Sequence, residues 1–246
     1  MPATNNSKNG TVIFIHIPKT GGLTLRRILD NQYPKHERYR FPKTKPNPFY
    51  KLTKNELNSI NCLYGHFKYG IHSKLTKPFT YITVLRDPVE RVISTYFFIL
   101  QNSKNRMHHT VKQMTFEEFV ASDHSPVSNH QTRFVSGKSI PDLEVAKKNL
   151  EKHFAVVGIT EMYAQSIFLM SKHLGWNNVQ YTKKNITKHR LKQNDFSKET
   201  IELIRKKNEL DIKLYEYAKQ LLQKRMDGLN PACKEQLANF VKRHVN

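Results

Sequence analysis

Short apolar runs alternate with segments of helical periodicity along this 246-residue chain. The apolar runs are rich in β-branched and aromatic residues, and they begin near Thr11, Asn61, Tyr81 and Phe154. Such runs are typical of strands that are buried on both faces, and the helical segments between them are typical of crossover connections. The pattern therefore predicts an α/β fold, a three-layer sandwich in which helices flank a central, mostly parallel sheet.

The first of these runs leads through a short turn into a helix. Residues 12–17 have the composition of a buried strand, and after the turn Leu23, Ile28 and Leu29 recur on one side of a helix. The turn, Pro-Lys-Thr-Gly-Gly, places residues 19–24 at the N-terminus of that helix. Free backbone N–H groups and the helix dipole favour an anion there, so we predict a P-loop-like unit of strand, phosphate loop and helix.

The residue types in this loop point to a particular chemistry. Gly21 and Gly22 let the backbone approach an anion closely, and Lys19 adds a positive charge that can follow negative charge on a leaving group. The triphosphate loop of kinases differs, because its lysine comes after the glycines and is followed directly by Ser or Thr. Without that hydroxyl there is no evident magnesium ligand, so a kinase or nucleotide hydrolase is kept only as the alternative function.

A second segment in which a strand enters a helix spans residues 81–100. Asp87 suits the N-cap of the helix, and Glu90 completes a pattern like a capping box. Arg86 then lies at the strand exit, and Ser94 lies about two turns into the helix. We predict that these two side chains are available to a second anion.

The segments IPKTGG and TVLRDPVERVISTYFF together resemble the two nucleotide-binding signatures of sulfotransferases that use 3′-phosphoadenosine 5′-phosphosulfate. The resemblance is closest to the carbohydrate group that contains heparan sulfate 2-O-sulfotransferase, although those enzymes have small hydroxyl residues in place of Gly21 and Gly22. It implies that the 3′-phosphate is held by Arg86 and Ser94. It implies that the 5′-phosphosulfate is held by the first motif, namely Lys19, Thr20, Gly21, Gly22, Leu23 and Thr24. No metal is expected, because lysine and backbone donors can stabilise sulfuryl transfer alone.

The same resemblance assigns the catalytic base. It places a catalytic histidine in the Gly-His context of Tyr64-Gly65-His66-Phe67, so His66 is expected to accept the proton of the acceptor hydroxyl. A histidine with a reference pKa of about 6.5 needs little tuning for this role at neutral pH. Lys19 is expected to stabilise the departing phosphate. The alternatives are that His66 is only a histidine at a strand end, or that His16, which we interpret as a strand residue, is the base.

A further phosphate contact is expected in the basic segment 183–192. Related enzymes close such a loop over the 3′-phosphate, and the candidates here are Thr187, Arg190 and Lys192. The alternative is a solvated basic loop without a ligand.

The segment 128–134 resembles a region that borders the acceptor cleft in relatives. Arg133 in this segment could contact an acidic or already sulfated substrate, and His66 would contact the same substrate at the reacting hydroxyl. The alternative is a helix in which Phe134 and Val135 pack inward.

Composition narrows the class of partner. Lys and Arg outnumber Asp and Glu by 41 to 20, which gives a formal net charge of +21 spread along the chain. Such a field attracts polyanions, but no nucleic-acid-binding motif is present. We therefore expect a carbohydrate or polysaccharide acceptor, with an acidic one among the candidates, and no nucleic acid. A non-enzymatic polyanion-binding module is the second alternative, and the oligomeric state stays open.

The chain is expected to form one domain. Residues 1–10 are polar and predicted to be a disordered tail, and residues 11–246 a single sulfotransferase domain. Within it, Thr160 should cap a helix that runs to about Leu174, and residues 197–222 should form one packed helix.

The cellular location is predicted from what the sequence lacks. Two distant cysteines, Cys62 and Cys233, make a disulfide framework improbable, and no signal peptide or membrane span is recognisable. These features favour the cytoplasm. The alternative is a luminal Golgi fragment from which an anchor was removed.

Overall fold

The computed structural model describes residues 10–42, 44–124, 126–182, 191 and 193–244. Its centre is a sheet in which every pair of neighbouring strands is parallel. The strands are β1 (Thr11–Ile15), β2 (Arg38–Arg40), β3 (Cys62–Gly65), β4 (Phe79–Leu85) and β5 (Phe154–Ile159), in the spatial order β2-β3-β1-β4-β5. This confirms the predicted α/β class and the parallel sheet.

Helices connect the strands and cover the sheet. They are α1 (Gly22–Gln32), α2 (Lys54–Ser59), α3 (Pro88–Gln101), α4 (His108–Lys112), α5 (Phe116–Ala121), α6 (His130–Ser136), α7 (Leu143–His153), α8 (Tyr163–Leu174), α9 (Lys198–Lys207), α10 (Glu209–Asp227) and α11 (Pro231–His244). Every residue of β1, β3 and β5 is buried. Since successive side chains of a strand point to opposite faces, both faces of the sheet are covered, as the sandwich prediction requires.

The strand order determines which loops come together. β1 lies between β3 and β4, and Ile13 is in register with Leu63 on one side and Tyr81 on the other. Because all strands are parallel, the loops that leave their C-terminal ends emerge at one edge of the sheet, where open α/β folds bind their ligands. The segments that follow β1, β3 and β4 carry the predicted site residues.

The predicted long helix at 197–222 is in fact two helices. α9 and α10 are separated by Asn208, whose backbone leaves the helical region at φ −123° and ψ 27°. The Asn208 side chain is fully buried, and its Nδ2 donates to the carbonyls of Val127 at 2.7 Å and Ile204 at 2.9 Å. The bond to Val127 is a tertiary contact, so it can hold a break between the two helices although the apolar periodicity of the sequence continues across Asn208.

Thr160 does not cap a helix directly. It begins a 3-10 turn, and α8 starts at Tyr163 and stops, as predicted, before the left-handed Gly175. The Thr160 hydroxyl contacts the carbonyls of Leu85 at 3.0 Å and Thr20 at 3.1 Å instead. It therefore ties the end of β4 to the phosphate loop.

Several predictions fall on residues that the structure leaves undescribed. Thr187, Arg190 and Lys192 lie outside the described residues, and so do residues 1–9 of the predicted tail.

Candidate active site

The phosphate loop joins β1 to α1 through two left-handed residues. Lys19 has φ 69° and Gly21 has φ 80°, so the chain turns sharply before Gly22 begins the helix. No side chain caps this N-terminus, and the first turn of α1 contains no acidic residue. The N-terminal amides and the helix dipole are therefore presented to an anion without a competing carboxylate of the helix itself.

Both glycines of this loop are required by direct packing. A Cβ at Gly22 would lie 2.1 Å from Cδ2 of the His16 ring, and one at Gly21 would lie 2.9 Å from the Tyr163 ring. The Tyr163 hydroxyl also donates to the Gly21 carbonyl at 2.9 Å. Close approach to an anion was the expected reason for these glycines, and the structure adds a second reason, since aromatic rings already occupy the space of a side chain.

Thr20 and Thr24, the two hydroxyl residues of the loop, have different surroundings. The fully buried Thr20 donates its hydroxyl to the Ile17 carbonyl at 2.9 Å, so the side chain stabilises the turn. Thr24 is buried one turn into α1, whereas Leu23 is exposed. Among the described contacts, Thr20 thus supports the loop through its side chain, and its backbone N–H is the group suited to an anion.

Lys19 and Arg86 bring the two predicted motifs into contact. Nη1 of Arg86 donates to the Lys19 carbonyl at 3.2 Å, and Nζ of Lys19 lies 4.2 Å from the centre of the Phe98 ring on α3. The Arg86 guanidinium also faces two carboxylates, with Nη2 at 3.3 Å from Glu90 and Nε at 4.0 Å from Glu161. Lys19 and Arg86 are therefore neighbouring residues where β1 and β4 end, and the Arg86 charge faces two carboxylates.

The α3 helix begins as expected, with one difference. Asp87 caps it by accepting from the Glu90 N–H at 2.9 Å. The Glu90 carboxylate does not complete a capping box but pairs with Arg86, four residues before it. Ser94 lies two turns along the same helix and is buried.

His66 lies directly after β3, beside the end of β1. In the parallel register Ile15 is opposite Gly65, and the His16 N–H donates to the Gly65 carbonyl at 2.9 Å. Nδ1 of His66 is 2.6 Å from the His16 carbonyl oxygen. A carbonyl oxygen can only accept, so in the neutral imidazole the proton is on Nδ1 and the lone pair is on Nε2.

His16 supports both the loop and the predicted base. Its ring lies against the His66 ring at 4.3 Å between centroids and is stacked with the Phe14 ring at 5.4 Å. The ring is buried and fills the space beside Gly22. These contacts describe a packed residue at the strand end.

Two residues near Arg86 were missed by the sequence analysis. Gln131 is fully buried, and its side-chain amide donates to the Arg86 carbonyl at 2.8 Å and accepts from the Arg86 N–H at 2.9 Å. Glu161 accepts from the Asp87 N–H at 3.2 Å and from the Tyr215 hydroxyl at 3.0 Å. Although 39 % of the Glu161 side chain is exposed, the protein around it desolvates the carboxyl and raises its pKa. No local pattern marks either residue, because both act on residues distant in sequence.

Arg133 lies on α6, the helix that presents Gln131. The fully buried carboxylate of Asp211 fixes the start of this helix, accepting from the N–H groups of Gln131 at 3.0 Å and Thr132 at 2.7 Å. Val135 is buried, as the packed-helix alternative expected. The proposed substrate contact of Arg133 is untested by these observations.

Comparison with known proteins identifies the family. Residues 4–218 match the sequence model of the Sulfotransferase family. The chain belongs to the sulfotransferase family. The resemblance recognised in the sequence is thereby confirmed.

Two relatives of the chain are named heparan-sulfate sulfotransferases. The chain is 26% identical over 272 residues to heparan-sulfate 6-O-sulfotransferase 1-B of Danio rerio, with 87% of this chain and 66% of that protein covered. It is 26% identical over 273 residues to heparan-sulfate 6-O-sulfotransferase 1 of Homo sapiens, with the same shares covered. The chain thus spans about two thirds of the length of these relatives. Both are named 6-O enzymes, whereas the sequence motifs resembled the 2-O enzymes of the carbohydrate group.

Among solved structures, the chain is similar to the crystal structure of mouse sulfotransferase SULT7A1 complexed with PAP. The TM-score is 0.43 and the identity is 11%, with 96% of this chain and 84% of that chain covered.

The predicted cytoplasmic location is wrong in view of these relatives. The heparan-sulfate 6-O-sulfotransferases are enzymes of the Golgi lumen. The prediction was drawn from a missing leader and anchor pattern, and such a lack does not identify a compartment. Across the described parts of the chain, no helix has the length and apolarity needed to cross a membrane.

The residues of the loop fit the phosphosulfate donor that the family implies. The first turn of α1 contains no acidic residue, and its N-cap is Gly21, so the backbone N–H groups at this end of the helix suit an anionic group. Lys19 and Arg86 supply positive charge on either side. Among the described residues of the chain, no group of three or more His, Cys, Asp or Glu side chains could hold a metal ion.

Proposed function

We propose that this protein transfers a sulfuryl group from 3′-phosphoadenosine 5′-phosphosulfate to a hydroxyl of a carbohydrate. Family membership supports sulfuryl transfer. The observation that carries the proposal is the convergence of Lys19, Arg86 and His66 at one edge of the sheet, linked through the Lys19 and His16 carbonyls. Because the chain spans about two thirds of its relatives, the activity, the acceptor and the partners are all part of this proposal.

In this proposal the two motifs hold the donor at its two ends. The loop residues Lys19, Thr20, Gly21, Gly22, Leu23 and Thr24 bind the 5′-phosphosulfate, chiefly through backbone N–H groups at the start of α1. Arg86 and Ser94 bind the 3′-phosphate. Thr187, Arg190 and Lys192 stay proposed contacts to the same phosphate. When bound, the donor supplies an activated sulfuryl group.

His66 acts as the base. The Nδ1–H bond to the His16 carbonyl leaves the lone pair on Nε2, which takes the proton of the attacking hydroxyl. The His16 ring behind it fixes the ring plane. The geometry therefore supports one tautomer and one orientation for His66.

Lys19 stabilises the negative charge that develops on the leaving phosphate. Its ammonium lies over the Phe98 ring, and such cation–π contacts contribute only about 0.5–1 kcal/mol at exposed sites. An anionic group at the loop competes easily with a contact of that strength. Magnesium is not needed in this scheme, because the lysine and the loop amides supply the stabilisation.

The acceptor is proposed to be an acidic polysaccharide. The names of the relatives give heparan sulfate as their substrate, and the net charge of +21 favours a polyanion. Arg133 is kept as a proposed contact to the acidic substrate.

Donor binding is the first test of the proposal. We expect calorimetric titration without magnesium to show selective binding of 3′-phosphoadenosine 5′-phosphate, the desulfated product, over ATP. Preference for ATP would support the kinase or nucleotide hydrolase. Salt-sensitive polysaccharide binding without any nucleotide binding would support the non-enzymatic module.

The base assignment is tested by His66→Ala. We expect turnover to fall at least about 100-fold, because proton transfer in the transition state is lost, while the affinity for 3′-phosphoadenosine 5′-phosphate stays within about twofold. The matched control is His109→Ala at an exposed position on α4, which should leave both quantities unchanged. Turnover like that of the wild type in His66→Ala would return His16 to consideration as the base.

A further inference from the structure

The strand order indicates where an acceptor can extend beyond the reacting hydroxyl. The donor motifs follow β1 and β4, and His66 follows β3. β2 is the next strand beyond β3, on the side away from β1. Its C-terminal end emerges at the same edge of the sheet because β2 and β3 are parallel. A molecule that reaches His66 opposite the donor therefore meets the segment that follows β2.

This segment is packed directly against the strand that leads to His66. The Phe41 N–H donates to the Tyr64 carbonyl at 2.9 Å. A Cβ at Gly65 would lie 2.7 Å from the Cβ of Phe41, so the two backbones are as close as glycine permits. The Phe41 ring also lies 5.1 Å from the ring of Phe67. Phe41 thus contacts the residues on both sides of His66 in the sequence.

The exposed aromatic ring of Tyr50 packs against Phe41. Tyr50 is 59 % exposed, although its ring makes edge contacts with Phe41 at 6.1 Å and with Phe49 at 5.7 Å. Phe49 is buried beneath it. Asn47 holds the turn, since its side chain donates to the Pro42 carbonyl at 2.9 Å and accepts from the Phe49 N–H at 3.0 Å. The exposed ring is therefore held in place by packed neighbours.

The sequence around this ring is rich in cationic residues. Residues 38–54 contain six Lys or Arg residues and no Asp or Glu. Arg40 and Lys51 in this segment are exposed. We give the name aromatic ledge to Tyr50 and its support Phe41, together with the exposed cations Arg40 and Lys51 that are their neighbours in the sequence. It combines an apolar ring face with positive charge, which suits a sugar ring that carries anionic substituents.

We propose that the aromatic ledge is an acceptor subsite that binds a ring of an acidic carbohydrate beside the sugar undergoing reaction. The apolar C–H face of that sugar packs on Tyr50, and its carboxylate or sulfate groups pair with Arg40 and Lys51. This inference rests on the proposed function for its choice of carbohydrate. Single-stranded nucleic acid also stacks on aromatic rings and carries negative charge, so it is the competing ligand in the test.

The test uses a heparin-derived octasaccharide as the probe. Tyr50→Ala should weaken its binding about fivefold, whereas Tyr50→Phe, which keeps the ring, should stay within about twofold of the wild type. Arg40→Gln should weaken binding and make the affinity less dependent on salt. The matched control is Lys234→Gln, which removes an exposed cation on α11, and it should have no effect on octasaccharide binding. None of these variants should change the affinity for 3′-phosphoadenosine 5′-phosphate.

Several outcomes would overturn the inference. It fails if the wild type does not bind the octasaccharide, or if Tyr50→Ala and Arg40→Gln bind it as the wild type does. It also fails if single-stranded DNA binds as tightly as the octasaccharide and if Tyr50→Ala weakens both affinities by the same factor. The aromatic ledge would then bind any polyanion and would not recognise the sugar. Loss of wild-type binding to 3′-phosphoadenosine 5′-phosphate is a separate result, and it would contradict the proposed function itself.

Discussion

Gln131 illustrates how a single buried side chain can determine the position of a ligand-binding residue. Its amide satisfies both backbone polar groups of Arg86, the first residue after β4. Its own N–H is held by the buried Asp211. Gln131 thus connects Arg86 to α6 and α10, and we assign it a positioning role in the proposed 3′-phosphate site.

Replacing Gln131 with Met should keep the side-chain volume and remove both hydrogen bonds. We expect the preference for 3′-phosphoadenosine 5′-phosphate over adenosine 5′-phosphate to fall about tenfold, because the Arg86 backbone is no longer fixed. Calorimetry with the two nucleotides measures this ratio, and Gln113→Met at an exposed position is the control. An unchanged ratio in a folded Gln131→Met protein would contradict the positioning role.

At the scale of elements, the accuracy of the sequence analysis depended on whether a signal was local. Four strands were predicted from apolar runs, but β2 was missed because its three residues, Arg-Tyr-Arg, form no apolar run. The face of the predicted helix at 197–222 was correct, since Ile201 and Leu214 are buried. The break at Asn208 was not predictable, because its partners include the Val127 carbonyl, far away in the sequence.

Asn208→Ala tests the importance of that break. The variant loses both donated hydrogen bonds and the bond that Oδ1 accepts from the Asn129 N–H, leaving buried polar groups without partners. We expect the free energy of unfolding to fall by about 2–3 kcal/mol. Urea denaturation measures it, with the exposed Asn239→Ala on α11 as the control. A loss no larger than that of the control would show that the break is not held by this side chain.

In the candidate site, too, residues with a local sequence signal were predicted and residues without one were missed. The loop at Lys19, the Arg86 position and the capped start of α3 have local signatures, and parallel strands then brought them to one edge. Gln131 and Glu161 have no such signature, because they contact Arg86 and Asp87 only through the tertiary fold.

At the scale of the whole molecule, a pair of histidines couples folding stability to pH. His72 is hydrogen-bonded to the Tyr81 hydroxyl at 2.8 Å, His153 to the Tyr69 hydroxyl at 2.6 Å, and the two imidazoles lie 5.7 Å apart. Burial lowers the pKa of both histidines, and each also faces a repelling charge, His153 for His72 and Lys152 for His153. The folded state therefore binds fewer protons than the unfolded state just below the reference pKa of about 6.5.

The lowered pKa values determine the direction in which pH changes the folding stability. Stability is fully present above the unfolded-state pKa of about 6.5 and is lost as pH falls below it, because protonation favours the unfolded chain. We expect the thermal midpoint to be lower at about pH 5.5 than at about pH 7.5, and His153→Gln to reduce the difference. His109→Gln, at an exposed position, should leave the difference unchanged. A midpoint that rises on acidification would contradict this account.

The place of β2 at the rim of the sheet has an evolutionary consequence. An outer strand pairs on one side only, so the part of the segment that lies beyond Phe41 can gain, lose or exchange residues while β1, β3 and β4 keep their mutual register. Donor chemistry and acceptor choice would then diversify independently among homologues. With the proposed subsite in this segment, we expect an exchange of residues 42–51 between family members to change the choice of acceptor sugar and to leave donor binding unchanged.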